Sequence, residues 1–259
     1  MRAVRLHPPG RIDDLWLDDF GLPEPHRGHV VVQVHAAAIT RDELEWPTDR
    51  LPAIPSYELS GVAVEDVGGL SAGAEVYGLT PFDRDGVAAD YAGVPIEVLA
   101  AKPPSLSHVQ AAALPMAGLS AWQALLVHGQ LQPGERVAIT GARGGVGHIA
   151  VQLARSLGAT LVESGELCDL LFDTVGGEEL GRAAGLAGRI VTIATEVPGA
   201  LYFVVEPNSD QLLELSRLVE AGDLRPQIDS IFPLDEALAA FARSAGRGKH
   251  GKVVLRVVD

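Results

Sequence analysis

Apolar positions change their period near residue 118. Before it they come in short alternating runs cut by glycine and proline. Beyond it they recur at helical spacing between β-branched stretches. In the first part, Val30-Val31-Val32-Gln33-Val34-His35-Ala36 predicts a strand. Residues 1–6 read as another. Residues 61–67 alternate up to a Gly68-Gly69 turn signal, and 74–79 predict a further short strand. Ser107 is placed to cap a helical run over 108–113. Short strands divided in this way predict a compact, barrel-like β-domain.

The second part alternates strand and helix. Helical spacing covers 119–128, 146–156, 178–186, 210–221 and 235–242. Leu212, Leu215, Leu218 and Val219 fall on one face of the fourth, which Gly222 closes. Between these lie predicted strands over 136–140, 160–162, 169–175, 189–194 and 201–205, then a terminal strand over 252–258. Such alternation predicts a parallel sheet with right-handed crossovers. The last strand is expected to rejoin the N-terminal β-domain.

One segment carries chemistry. Val137-Ala138-Ile139-Thr140 runs into Gly141-Ala142-Arg143-Gly144-Gly145-Val146-Gly147, and an amphipathic helix follows. A strand, a glycine-rich turn and a helix start bring backbone N–H groups against a pyrophosphate. The glycine pattern alone is weak, but its context here is the required one. The continuation is short. Gly158 and Asp173 are separated by too few residues for the strand, helix and strand that a dinucleotide unit presents next.

Composition narrows the partners. The chain has 259 residues, 47 % of them hydrophobic, enough for a substantial core. Its 34 acidic and 20 basic residues give a net charge of −14, which argues against nucleic acid or an anionic membrane surface as partner. Cys168 is the single cysteine, so no internal disulfide and no four-cysteine zinc site can form. No apolar stretch reaches the ~18 residues of a membrane span. The expected location is cytoplasmic.

Several segments together resemble one family. They are Pro55-Ser56-Tyr57-Glu58-Leu59-Ser60-Gly61-Val62, Glu75-Val76-Tyr77-Gly78-Leu79, Ala112-Ala113-Leu114-Pro115, Leu119-Ser120-Ala121-Trp122-Gln123, the glycine turn, Phe172-Asp173-Thr174-Val175-Gly176-Gly177 and Gly251-Lys252-Val253-Val254-Leu255. In this order they resemble the medium-chain dehydrogenase/reductase superfamily, in its zinc-free quinone oxidoreductase and enone reductase branch. The resemblance implies an α/β fold: a GroES-like β-domain over 1–118 and 232–259, and a shortened Rossmann domain over 119–231 that lacks the third strand and the helix before it. It also implies NADPH or NADH as cofactor, a small-molecule quinone or α,β-unsaturated carbonyl as substrate, and a homodimer joined by sheet edges near 200–205. Zinc-dependent relatives have a His-Glu pair where this chain has Tyr57-Glu58, and a cysteine upstream that it lacks. Tyrosine is not an ordinary zinc ligand, so no zinc is expected.

The resemblance assigns roles residue by residue. Gly144, Gly145, Val146 and Gly147 become pyrophosphate contacts; the plainer reading is a turn kept for packing. Arg143 pairs with the pyrophosphate or fills a vacated space. Asp173, Thr174, Val175, Ala194 and Thr195 line the cofactor groove at strand C-termini. Phe203 and Val205 belong to the strand whose backbone meets the carboxamide. Ser120 matches the hydroxyl facing the nicotinamide; alternatively it caps a helix over 121–128. Thr40 and Tyr57 would line the substrate side as donors, although Tyr57 also suits a buried structural bond. Arg41, Asp42, Glu43 and Glu45 form a charged loop that reads as a solvated face. Past the second strand, Glu163-Ser164-Gly165-Glu166 would accept from a ribose diol and repel a 2′-phosphate, which puts NADPH selectivity in question. The losses there keep open a second reading, a cofactor-free cyclase or isomerase on the same scaffold.

Overall fold

Two large sheets and one hairpin organise the chain, and the computed structural model describes all residues except Pro25, Pro47, Thr48 and Asp259. The hairpin pairs β1 (Arg2–Leu6) with β2 (Leu15–Asp19). The first sheet has seven strands: β3 (His29–Ile39), β4 (Glu58–Ala63), β5 (Glu75–Leu79), β6 (Tyr91–Pro95), β7 (Leu99–Ala101), β13 (Ile228–Pro233) and β14 (Lys252–Arg256). Their order is β13-β14-β3-β4-β5-β7, with β6 also paired to β3. The terminal strand thus returns to lie antiparallel to β3, with Val254 opposite Ala38.

The alternation along β3 explains its position. Val30, Val32 and Val34 are fully buried in one core. A register shift between Val34 and Ala36 then re-aims the strand, as a bulge does. Beyond it Ala36 and Ala38 pack on Ala112 and Ala113 at the end of α1 (His108–Ala112). Four small side chains let that helix approach closely. Its Ser107 cap is present, accepting from the Gln110 N–H at 3.3 Å.

The second sheet is parallel. It contains β8 (Arg136–Ile139), β9 (Thr160–Val162), β10 (Cys168–Asp173), β11 (Ala187–Thr192) and β12 (Leu201–Tyr202), in the order β12-β11-β10-β8-β9. This is the Rossmann order with its third strand removed. After α3 (Gly147–Ser156) the chain forms β9, then reaches β10 with no helix between. Val162 lies opposite Ala138 and Leu170 opposite Val137. The link from Val162 to Cys168 can reach ~20 Å, against a lateral distance of about 10 Å across two strand spacings. Because β9 is only three residues long, the return path is short enough.

The helices are α2 (Pro115–Trp122), α4 (Gly177–Ala183), α5 (Ser209–Ala221) and α6 (Ala237–Ala245), besides α1 and α3. Several expected boundaries move, and two of the shifts have a clear cause. The helix anticipated over 119–128 begins at Pro115, a residue favoured at the first helical position, and turns into a π-helical segment over Gln123–His128. The strand anticipated over 201–205 pairs only at Leu201–Tyr202, because β11 ends at Thr192 and offers no further partner. The two sheets share a core. Tyr77 on β5 is fully buried, and its hydroxyl donates to the Leu212 carbonyl of α5 at 2.6 Å. No helix among the described residues is long and apolar enough to cross a membrane.

Candidate active site

The glycine turn lies between β8 and α3 and is shaped by close approach. Gly141 has φ +64°, and a Cβ there would lie 2.8 Å from Val175 Cγ2. A Cβ on Gly147 would overlap the Gly141 carbonyl and stand 2.9 Å from the Ala142 Cα. A Cβ on Gly145 would meet Lys252 Cδ at 2.9 Å. His148 braces the turn from below. Its Nε2 accepts from the Gln227 N–H at 3.0 Å, so Nδ1 carries the proton and donates to the Gly144 carbonyl at 2.9 Å. Burial holds this imidazole below the usual histidine range, in keeping with a neutral ring. Val146 is half-buried at the helix start, and Arg143 is exposed. Among the described residues the Arg143 guanidinium has no hydrogen bond or ion pair.

The strand C-termini supply one wall. Asp173 is fully buried and ties three segments together. It accepts from Thr140 Oγ1 at 2.6 Å, from Thr192 Oγ1 at 2.8 Å and from the Gly176 N–H at 3.1 Å. It therefore shapes the groove from behind. Thr174 donates to the Thr140 carbonyl at 2.8 Å. Val175, Ala194 and Thr195 are exposed along the edge, and Gly176 packs on the last two. Phe203 and Val205 turn their side chains into the core, which leaves only backbone for the groove. Ser120 lies inside α2, 3 % exposed, rather than at a cap.

The other wall comes from the seven-stranded sheet. Glu58, fully buried, forms an ion pair with Lys252, itself 6 % exposed, and accepts from the Met116 N–H at 3.0 Å. Thr40 takes part in this pair: its hydroxyl accepts from Lys252 Nζ at 3.3 Å and lies 3.5 Å from Glu58 Oε1. Glu43, expected on a solvated face, is buried instead. Its carboxyl accepts from the Thr40 N–H at 2.8 Å and the Ser56 N–H at 2.9 Å, which draws the loop over it. Beside it a pocket of about 70 Å³ is walled by Trp46, Tyr57 and Phe82, whose ring centroids are 5.2 to 5.8 Å apart. Burial, and then the charge of Glu43, push the Tyr57 phenol above its ordinary value.

Burial also raises the Glu43 carboxyl to about 7, against the opposing pull of the Thr40 N–H and Lys252. The folded form therefore holds this proton at pH values where the unfolded chain has lost it. Stability contributed in this way is present below the ordinary glutamate value and is lost as pH rises through about 7. Thermal unfolding at pH 5, 6, 7 and 8 checks this: a fall in Tm is expected up to about pH 7 and is flattened in Glu43→Gln.

Sequence reasoning did not single out Glu43, Lys252, Trp46 or Phe82. Glu58 and Lys252 were visible only as letters in family motifs. The charged-run pattern at 41–45 hid Glu43, because the 3₁₀ turn over Glu43–Glu45 points it inward. For a metal the donor set does not fit. Glu58 is committed to Lys252 and Met116, Cys168 lies on β10 of the other sheet, and among the described residues no group of His, Cys, Asp or Glu is arranged to hold an ion. For a dinucleotide the glycine turn, the free Arg143 and the open strand ends do fit.

Comparison with known proteins bears on the fold and on the nicotinamide cofactor. A family model described as zinc-binding dehydrogenase matches residues 154–255. The 2-methylene-furan-3-one reductase of Solanum lycopersicum is 29 % identical over 309 residues, covering 100 % of this chain and 79 % of that protein. The NADPH-dependent alkenal/one oxidoreductase of Arabidopsis thaliana chloroplasts is 28 % identical over 306 residues, covering 98 % and 79 %. Both alignments run longer than this chain of 259 residues, as a trimmed domain requires. The quinone oxidoreductase structure from Coxiella burnetii superposes with a TM-score of 0.90 at 27 % identity, covering 99 % of each chain. With the trimmed Rossmann sheet and the returning terminal strand, these matches make the chain similar in sequence and fold to the medium-chain dehydrogenase/reductase superfamily, in its quinone oxidoreductase-like branch.

Proposed function

We propose that this protein is an NAD(P)H-dependent oxidoreductase that reduces a quinone or an α,β-unsaturated carbonyl without zinc. The observation that carries the reading is the glycine turn. It keeps its place between β8 and α3, with Arg143 exposed and its guanidinium without a hydrogen bond or ion pair among the described residues, although the third strand is gone. The backbone of Gly144, Gly145, Val146 and Gly147, with Arg143, would hold a diphosphate. Thr174, Val175, Ala194 and Thr195 would line the groove, with Asp173 fixing their backbone. The main chain at Phe203 and Val205 would meet the carboxamide. When bound, a reduced nicotinamide supplies a hydride.

The protein's own groups serve the other half of the reaction. Negative charge developing on a substrate oxygen needs a donor fixed in advance. The hydroxyls of Ser120 and Tyr57 are the candidates; Thr40 is turned toward Lys252 and Glu58 and acts by holding that pair. The rings of Trp46, Tyr57 and Phe82 exclude water and suit a flat, conjugated substrate. Solvent returns the proton. With Glu163 and Glu166 after β9 and no cation between them, a 2′-phosphate is repelled and NADH is favoured over NADPH. Leu201, Tyr202 and Val204 are exposed at the edge of the parallel sheet, which suits a cytoplasmic homodimer joined there.

The test is oxidation of NADH and of NADPH with benzoquinone, and separately with a simple alkenal, as acceptor. Acceptor-dependent loss of nicotinamide absorbance is expected. Consumption of the acceptor at an unchanged rate without nicotinamide would instead support the cofactor-free reading.

A further inference from the structure

The chain that leaves the parallel sheet after β12 runs without the partner a strand needs. β12 pairs with β11 only at Leu201 and Tyr202, and β11 ends at Thr192. The Phe203 N–H still donates to the Thr192 carbonyl at 3.3 Å. The next regular element is α5, whose cap Asn208 accepts from the Gln211 N–H at 2.9 Å. Main chain between two such points has to find its bonds elsewhere.

One side chain supplies them. Gln123, at the end of α2, is 5 % exposed. Its Oε1 accepts from the Glu206 N–H at 3.0 Å, and its Nε2 donates to the Glu206 carbonyl at 2.8 Å and to Gln211 Oε1 at 2.9 Å. An antiparallel neighbour exchanges the same two bonds with one residue of a ladder, so the amide stands in for a strand. The π-helical segment Gln123–His128 also meets the start of the stretch, because the His128 and Phe203 ring centroids are 4.5 Å apart. Phe203 and Val205 are buried, whereas the N–H groups of Val204 and Val205 have no hydrogen-bond partner among the described residues. Polar backbone is thus anchored at both ends and left unpaired between them. Ser120 lies three residues before Gln123 on the same helical face, and is also buried.

We propose that Gln123 is a positioning residue for the nicotinamide. Through Glu206 it fixes the main chain at 203–205 where the carboxamide docks, and it ties that main chain to the helix that carries Ser120. This rests on the reading that the cleft takes a dinucleotide with its carboxamide at this backbone. The effect is confined to the nicotinamide half of the ligand, since the bonds of Gln123 go to Glu206 and Gln211 and not to the glycine turn.

Equilibrium titration with NADH and with ADP-ribose separates this role from a structural one, because ADP-ribose keeps the adenosine and diphosphate and lacks the nicotinamide. Gln123→Met nearly conserves volume and removes the bonds to Glu206 and Gln211. It is expected to bind NADH about tenfold more weakly and ADP-ribose within about twofold of the wild type. Gln123→Glu keeps an acceptor for the Glu206 N–H, but has a proton for the Glu206 carbonyl only when its own carboxyl is protonated. Its affinity for NADH relative to ADP-ribose is therefore expected to rise as pH falls from about 8 to about 5, while the wild-type ratio stays constant. Unchanged NADH affinity in Gln123→Met, equal loss of both ligands, or a ratio in Gln123→Glu that does not respond to pH overturns the proposal and leaves the oxidoreductase reading standing. A wild type that binds neither ligand removes that reading, and this proposal with it.

Discussion

Replacing Lys252 by methionine lowers the unfolding free energy by about 3–5 kcal/mol, a fall of roughly 6–20 °C in Tm for a chain of this size. The substitution nearly conserves the stem that packs against Gly145, where Lys252 Cδ lies 2.9 Å from the position of a Cβ. What it removes is the positive charge facing Glu58. That carboxylate is fully buried, and its remaining partners are the Met116 N–H at 3.0 Å and the Thr40 hydroxyl at 3.5 Å. An uncompensated buried charge is what costs, more than the lost attraction itself. The double variant, with Lys252 and Glu58 both replaced by methionine, is therefore expected to recover most of the loss. Chemical denaturation of the four proteins of this cycle measures it. A double variant no more stable than Lys252→Met would show that the cost lies in packing and not in the orphaned carboxylate.

The second large effect is on ligand binding. Gly147→Ala is expected to weaken dinucleotide binding by about 100-fold while the sheets remain folded. The new Cβ would overlap the Gly141 carbonyl and press on the Ala142 Cα at 2.9 Å. Both neighbours are backbone, so the turn must open to admit it. The N–H groups that would face a diphosphate move with it, because the Gly144 N–H to Gly141 carbonyl bond of 2.8 Å is part of the same turn. Gly21→Ala, in the loop after β2 where a Cβ meets nothing within 4 Å, is the control and is expected to bind normally. Nicotinamide fluorescence titration, with circular dichroism to confirm the fold, makes the comparison.

These two sites were unequally legible in the sequence, for a physical reason. The glycine turn is local: strand, turn and helix lie within one run of residues, and β8 and α3 fall within a residue or two of expectation. The missing third strand was also legible, since chain length between Gly158 and Asp173 sets a limit no packing can evade. The terminal strand declared itself by its apolar run over Val253-Val254-Leu255. The Lys252–Glu58 pair was not legible, because its members come from opposite ends of the chain and meet only once β14 has returned beside β3. Glu43 misled for the opposite reason. Its neighbours Arg41, Asp42 and Glu45 are exposed as a charged run should be, and one 3₁₀ turn sends the fourth member inward. The short strands β2, β7 and β13 gave no periodic signal and depend on their partners for existence. Ser120 was misplaced relative to its helix because Pro115 starts α2 earlier than the apolar spacing indicated.

The central claim is that the turn between β8 and α3 still cradles a diphosphate after the neighbouring strand has been lost. Equilibrium titration of the wild-type protein with NADH and with NADPH, read by nicotinamide fluorescence, tests it most directly. Saturable binding of at least one of them in the micromolar range, weakened about 100-fold by Gly147→Ala, is the predicted result. Absence of binding by both at millimolar concentration would contradict it.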